Sequence, residues 1–305
     1  MNPAIIVHGG AGAWEKRGGQ LPEAVAGCAA AAAAGQAILL AGGSALDAVE
    51  GAVRVLEDCP VTDAGRGSFL NAAGEIEMDA FIMDGQTLSV GAVGAVRLVQ
   101  YPISLARRVM TDTEHNFLVG PGAEAFADQI GFPRCTMADL LTDEELARYR
   151  ALLQEETYAT VNVFIEPDSM GTVGAAAIDQ QGHLAAATST GGTRKKLPGR
   201  IGDTPIAGAG GYADNLTAAV SATGHGESLM KVLASKQVCD YVGQGLPAGM
   251  ACEFTIRLLA ERVDGHGGVI AVDRFGRTGF AYNTDAMPYA FAHGDRPVIS
   301  GPEQI

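Results

Sequence analysis

Residues 171–190 read as an apolar hairpin. Val173–Ile178 and Leu184–Thr190 are paired strands around Asp179-Gln180-Gln181-Gly182, a turn signal. The hairpin opens on Gly171-Thr172, after a polar stretch of weak periodicity from Glu155 to Ser169 that reads as a linker. A hairpin of this length brings Thr190 near Thr172. Threonine at a strand start is ordinary in itself, because β-branched residues suit strands. A cut before Thr172 would change its meaning: the residue would then carry a hydroxyl nucleophile and an amine base together.

The rest of the chain mixes helices and strands. Ala4 to His8 is a short strand running into Gly9-Gly10-Ala11-Gly12, and Pro22 to Ala41 is a helix stopped by Gly42-Gly43. Ser44, with Asp47 three residues on, starts a second helix that ends before Pro60. Glu75–Met83 and Leu88–Leu98 read as strands, and Pro102–Met110, Ala123–Ile130 and Met137–Gln154 as helices. Downstream, Ala218–Thr223 is a strand, Glu227–Val242 and Ala248–Arg262 are helices, and Gly268–Val272 with Arg277–Asn283 form a closing hairpin. Helices lead in the first half and strands in the second.

Composition excludes several classes. The net charge of −14 opposes nucleic acid and anionic membranes as partners. Ala24 to Leu46 has no charged residue, yet it is broken by glycines and holds Gln36, so it reads as a packed soluble helix. No signal peptide is visible at the N-terminus. The five scattered cysteines read as reduced, mostly buried thiols in a cytoplasmic protein. The histidines and cysteines show no metal-ligand spacing, so no catalytic metal or other catalytic cofactor is expected. His8-Gly9-Gly10-Ala11-Gly12 follows a strand but lacks the spacing of a nucleotide loop. Asp79 and Asp84 have no obvious partner.

Three further stretches carry chemistry-bearing residues. Arg194-Lys195-Lys196 is a basic island best read as a solvated loop. Arg200 and Asp203 lie among glycines on either side of a turn. Arginine grips a carboxylate bidentately and aspartate accepts from an ammonium, so together they suit an α-amino-acid head group, with a structural salt bridge as the competing reading. Thr223-Gly224 ends a strand just before a helix, where a hydroxyl and a backbone N–H suit an oxyanion hole. His225 next to it is a tempting base, but reads better as structural.

These segments together resemble the plant-type L-asparaginase and isoaspartyl peptidase family of N-terminal nucleophile hydrolases. The matching runs are His8–Gly12, Gly65-Arg66-Gly67, Met83-Asp84-Gly85, Gly171–Ala175, Ala187–Gly192, Leu197–Pro205, Gly208–Asn215 and Thr223–Glu227, in order along nearly the whole chain. The resemblance implies one α+β domain, an αββα four-layer sandwich, cut between Gly171 and Thr172 into residues 1–171 and 172–305. It implies Thr172 as nucleophile with its amine as base, Thr190 in support, and Arg200 and Asp203 on the substrate's α-carboxylate and α-amine. Thr223 and Gly224 would stabilise the oxyanion. It also implies a structural sodium on the backbone carbonyls of Leu56, Glu57, Cys59, Thr62, Ala64 and Arg66, and a homodimer of αβ units. The expected reaction is hydrolysis of L-asparagine and β-aspartyl dipeptides. A glycosylasparaginase-type amide hydrolase and a poorly processed amino-acid-binding homologue stand as alternatives. The chain departs from the family in reading Asp63-Ala64-Gly65 where Asn-Ala-Gly is usual. An ionised carboxylate cannot donate a hydrogen bond, so Asp63→Asn is expected to raise activity.

Overall fold

The computed structural model describes residues 1–14, 19–154 and 171–302; the linker read at 155–169 lies outside them. In chain order the elements are β1 (Ala4–His8), α1 (Leu21–Leu40), α2 (Ala45–Glu57), β2 (Met78–Asp84), β3 (Val90–Val96), α3 (Pro102–Asp112), β4 (Phe117–Val119), α4 (Gly120–Gln129), α5 (Met137–Leu140) and α6 (Asp143–Leu152). They continue with β5 (Val173–Ile178), β6 (Leu184–Thr190), β7 (Gly211–Ala213), β8 (Ala218–Gly224), α7 (Gly226–Val232), α8 (Ala234–Gly243), α9 (Ala248–Val263), β9 (Gly267–Asp273), β10 (Thr278–Tyr282), β11 (Tyr289–His293) and β12 (Ile299–Gly301).

The strands form two sheets. One has the order β12-β11-β1-β5-β6-β2-β3-β4, the other β10-β9-β8-β7. Every pairing is antiparallel except β3 with β4. The hairpin of β5 and β6 sits in the middle of the larger sheet, Val173 opposite Ser189 and Gly174 opposite Thr188. Both strands are buried along their whole length, which is why they read as near-continuous apolar runs. On one face the larger sheet carries α1, α2 and α3; its other face meets the smaller sheet, β5 and β6 against β8 and β1 against β9. The smaller sheet is covered on its far side by α8 and α9. Apolar cores fill the three spaces so made: Ile5, Val49, Val53, Ile82 and Val93 in the first, Ile6, Phe81, Ile178 and Ile270 between the sheets, Val220, Val238, Ile256 and Val269 in the third.

Helix α1 is long and apolar enough to cross a membrane by composition alone. Here it packs on α2, β1 and β11, with Ala24, Cys28, Ala31, Ala32 and Leu39 buried. Gly35 lets it approach: a Cβ there would lie 2.2 Å from Ile5 Cδ1 and 3.1 Å from the Ala48 carbonyl. The start of α2 forms as its sequence indicates. Ser44 Oγ accepts from the Asp47 N–H at 3.1 Å, while Asp47 reaches back to the Ser44 N–H.

Several elements differ from the sequence reading. The helix expected over Met137–Gln154 is two, because Leu141 is extended and Thr142 caps α6 by accepting from the Glu145 N–H. The helix expected over Glu227–Val242 breaks at Leu233, which adopts a left-handed conformation (φ 49°) between α7 and α8. The strand expected from Glu75 begins at Met78. Strands β4, β7, β11 and β12 escaped the sequence reading.

Candidate active site

Thr172 stands at the mouth of β5, and the hairpin carries Thr190 back beside it. Thr172 Oγ1 donates to Thr190 Oγ1 at 3.1 Å, and Thr204 Oγ1 lies 3.5 Å from Thr172 Oγ1. Thr190 in turn accepts from the Gly192 N–H at 3.0 Å and donates to Asp63 Oδ2 across a long 3.5 Å. Two hydroxyls, those of Thr190 and Thr204, therefore converge on that of Thr172. Thr204 is the member that the sequence reading missed; its only signal was its place directly after Asp203.

On the other side of Thr172 the smaller sheet and the loop after β1 close in. Thr223 Oγ1 accepts from the Ala11 N–H at 3.1 Å, and a Cβ on Gly171 would fall 2.5 Å from that oxygen. A Cβ on Gly10 would lie 2.6 Å from the Gly171 carbonyl oxygen. Glycine at both positions is what allows the Gly171–Thr172 peptide to be pressed between Ala11 and Thr223. Gly224 has φ +139° and backs onto Gly267. Gly171, Thr172, Thr190, Arg200, Asp203, Thr204 and Gly224 all line one small pocket.

His8 belongs to the frame of the site, and the hydrogen-bond directions around it can be followed. Thr188 Oγ1 donates to the Gly210 carbonyl at 3.0 Å, so Ser221 Oγ donates to Thr188 at 2.8 Å and His8 Nε2 donates to Ser221 at 2.9 Å. Burial pulls the His8 pKa down to about 3, against a smaller opposite pull from the Thr172 backbone. His225 likewise has a structural place, its Nδ1 2.8 Å from Ser228 Oγ and its Nε2 3.3 Å from Glu227 Oε2.

Arg200 and Asp203 share the pocket, but they are not an ion pair with each other. Arg200 pairs with Glu227, Nε to Oε1 at 3.0 Å and Nη2 to Oε2 at 2.8 Å. Asp203 is buried, its Oδ2 has no hydrogen-bond partner, and burial pushes its pKa up to about 7 despite the nearby Arg200. A buried carboxylate oxygen without a donor is costly, and a bound ammonium would satisfy it.

The basic island is a correction. Arg194 and Lys196 are buried rather than solvated. Arg194 forms a fork with Glu145, Nη2 to Oε2 at 2.8 Å and Nε to Oε2 at 3.0 Å, and lies over the Phe69 ring at 3.7 Å. Lys196 Nζ donates to the Glu77 carbonyl at 2.7 Å, and Lys195 Nζ to that of Leu152 at 2.8 Å. These bonds tie the loop after β6 to the first half of the chain. Asp79 also has a partner, accepting from the Ala95 N–H at 2.7 Å.

Asp63 is fully buried behind Thr190. Its Oδ1 accepts from the Phe69 N–H at 3.0 Å, and burial pushes its pKa up to about 8. At neutral pH that favours the protonated acid, which can donate as an amide does. The gain expected from Asp63→Asn shrinks accordingly.

The loop named for a cation folds tightly on itself. The carbonyls of Leu56 and Cys59 accept from Thr62 Oγ1, and that of Glu57 from the Arg66 N–H. The Pro60 and Thr62 carbonyls converge to within 2.6 Å of where a Gly67 Cβ would stand. Main-chain oxygen is the donor type that a hard cation takes, but of this cradle only Thr62 belongs to the named set, and the named Leu56, Glu57 and Cys59 carbonyls already accept hydrogen bonds inside the loop. The Glu57 carboxyl has a separate place, accepting from Ser189 Oγ at 2.6 Å and the Ile103 N–H at 3.0 Å.

The asparaginase family model matches residues 1–298. The chain belongs to the asparaginase family. Among its relatives, the isoaspartyl peptidase/L-asparaginase of Danio rerio is 46% identical over 292 residues, covering 96% of this chain and 93% of the relative. The protein of the same name from Homo sapiens is 44% identical, with 96% and 94% coverage. The isoaspartyl peptidase of Escherichia coli is 40% identical, with 97% and 95% coverage. Family membership gives the cluster of Thr172, Thr190 and Thr204 a chemical context: a threonine nucleophile is typical of this family.

Proposed function

We propose that the chain cleaves itself between Gly171 and Thr172 and then hydrolyses L-asparagine and β-aspartyl dipeptides, releasing L-aspartate. The observation that carries this reading is the Thr172 hydroxyl, hydrogen-bonded to Thr190 in a pocket that also holds Arg200 and the partnerless oxygen of Asp203. The names of the relatives, isoaspartyl peptidase and L-asparaginase, support it.

In the uncleaved chain the pocket has room for about one water, ≈ 10 Å³, with Gly171 in its wall. Thr172 Oγ1 attacks the Gly171 carbonyl carbon, the peptide C–N bond breaks as the nitrogen takes up the hydroxyl proton, and water opens the resulting ester. Withdrawal of the Gly171 end makes space, and the freed α-amine of Thr172 becomes the base. Substrate then binds with its α-carboxylate on Arg200 and its α-ammonium on Asp203, which leaves only the side-chain amide facing Thr172. The hydroxyl adds to that carbonyl, and the Thr223 hydroxyl and Gly224 N–H hold the oxyanion. Ammonia or an amino acid leaves, and water hydrolyses the aspartyl ester. Ordinary α-peptides are excluded because their α-groups are tied up.

The same reading takes the fold to be the αββα sandwich of N-terminal nucleophile hydrolases, with residues 1–171 and 172–305 as its two subunits. It also takes the protein to be a cytoplasmic homodimer with a structural sodium in the 56–66 loop. The stacking of helices and sheets supports the first, free cysteines the compartment, and the carbonyl cradle the cation. The test is direct. Aged protein is expected as two fragments meeting at Gly171–Thr172 and to release ammonia from L-asparagine, and Thr172→Ala to lose both. Binding of asparagine without ammonia release would make the chain an amino-acid binder instead.

A further inference from the structure

Glu227 occupies one edge of Arg200. The carboxylate takes the Nε hydrogen and one Nη2 hydrogen in a fork, at 3.0 and 2.8 Å. Among the described residues it is the only side chain that hydrogen-bonds Arg200. The other edge, both Nη1 hydrogens and the second of Nη2, is left to bind in the pocket that Arg200 lines. The guanidinium has little freedom to turn. A Cβ on Gly202 would lie 2.9 Å from Nη1, and one on Gly226 would lie 2.9 Å from both Nη2 and Asp203 Oδ1. His225 Nε2 lies 3.3 Å from Glu227 Oε2.

The charges matter as well as the geometry. Arg200 supplies one positive charge, while Glu227 and Asp203 supply two negative ones. By itself the pocket is left with one excess negative charge, which a carboxylate alone raises to two, whereas a ligand that brings an ammonium as well adds none. A ligand with the carboxylate alone meets an arginine whose charge is already spent on Glu227, beside a second carboxyl with nothing to accept.

We propose that Glu227 is a positioning and specificity-determining residue, which presents the Nη1–Nη2 edge of Arg200 to the substrate α-carboxylate and makes the pocket demand an α-ammonium. The inference rests on the amidohydrolase reading above and adds the partner that orients its carboxylate clamp. The two demands on Glu227 separate by substitution. Glu227→Asp keeps the charge but is too short for the fork; Glu227→Gln loses the charge and replaces one acceptor by a donor.

The experiment is steady-state hydrolysis of L-asparagine and of succinamate, the same amide without the α-amine, by cleaved wild-type protein and both variants. The wild type is expected to prefer asparagine strongly. Both variants are expected to raise KM for asparagine about tenfold, with the change in KM rather than kcat, because a charge-assisted bond to the clamp is lost. Only Glu227→Gln is expected to narrow the preference for asparagine over succinamate. Wild-type KM and preference in both variants would overturn the proposal, as would a loss confined to kcat or an equal loss of both substrates in the two variants. Should the variants fail to fold, a wild type that hydrolyses succinamate as well as asparagine overturns it alone. A cleaved wild type that releases no ammonia from asparagine brings down the underlying reading and this proposal with it, whereas active wild type with indifferent variants brings down this proposal only.

Discussion

Asp203 holds its charge at a site where little compensates it, and that gives the pocket a pH dependence. Burial raises its pKa to about 7; Arg200 opposes the rise, and Glu227 and Asp79 add to it. Holding an ammonium requires the ionised form. As pH falls below about 7 the carboxyl takes a proton, and the KM for asparagine is expected to climb, approaching tenfold per pH unit well below that point. Asp203→Asn should show a high KM at every pH, with this dependence gone. Measuring KM between pH 5 and 9 checks both, and a flat wild-type profile would refute the assignment. At this scale the sequence was informative wherever a residue's role depends on its neighbours along the chain. Thr172, Thr190, Thr223 and Gly224 all stand at ends of strands that pattern alone could place. What it could not show was pairing across the fold. A salt bridge between Arg200 and Asp203 is the competing reading that their turn allows, while the structure puts both in one pocket and pairs Arg200 with Glu227, 27 residues on. A run of charge such as Arg194 to Lys196 is usually solvated, and the acceptors that bury its two ends, Glu145 and the Glu77 carbonyl, are distant in sequence.

At the scale of elements, the hairpin of β5 and β6 is the part of the fold that the chain declares most openly, and its tightness explains its composition. Gly174 pairs with His8 on one side and Thr188 on the other. A Cβ there would fall 2.0 Å from Ser221 Oγ, 2.7 Å from His8 Nε2 and 2.9 Å from the Ala187 carbonyl. The sheets cannot separate without breaking the His8–Ser221–Thr188 chain of hydrogen bonds. Gly174→Ala is therefore expected to destabilise the protein by about 3 kcal/mol, at the upper end for an overpacked core. The denaturant midpoint, compared on a Thr172→Ala background so that cleavage does not intrude, measures it. An unchanged midpoint would mean that the sheets slide apart easily. Helices were less legible than this hairpin. The breaks at Leu141 and Leu233 carry no proline or glycine, so local pattern gave no reason to stop there. Strands β4, β7 and β12 have three residues each, too few for alternation to register.

For the whole molecule, the consequence of the strand order is that cutting the chain does not divide the structure. Along the larger sheet, β12 and β11 come from after Thr172, β1 from before it, β5 and β6 from after, and β2, β3 and β4 from before. Strand β5 is paired with β1 from Ala4–Ile178 to His8–Gly174, and β6 with β2 from Asp79–Thr190 to Asp84–Ala185. Each segment thus supplies strands that hydrogen-bond to the other, and the apolar layers on both sides mix residues of the two. Buried cross-links such as Arg194 with Glu145 and Ser189 with Glu57 join them further. None of this can be seen from a sequence in which the proposed cut looks like a boundary between a helical half and a strand-rich half. Cleaved protein is therefore expected to run as one species in native gel filtration, both fragments in the same peak, and to separate only in denaturant. The position of that peak also reads the assembly, since a dimer of αβ units elutes at twice the mass of one. Fragments that part in native buffer would contradict the interleaved sheet itself, because removing residues 172–305 strips β1 of both neighbours and leaves β2 paired on one side only.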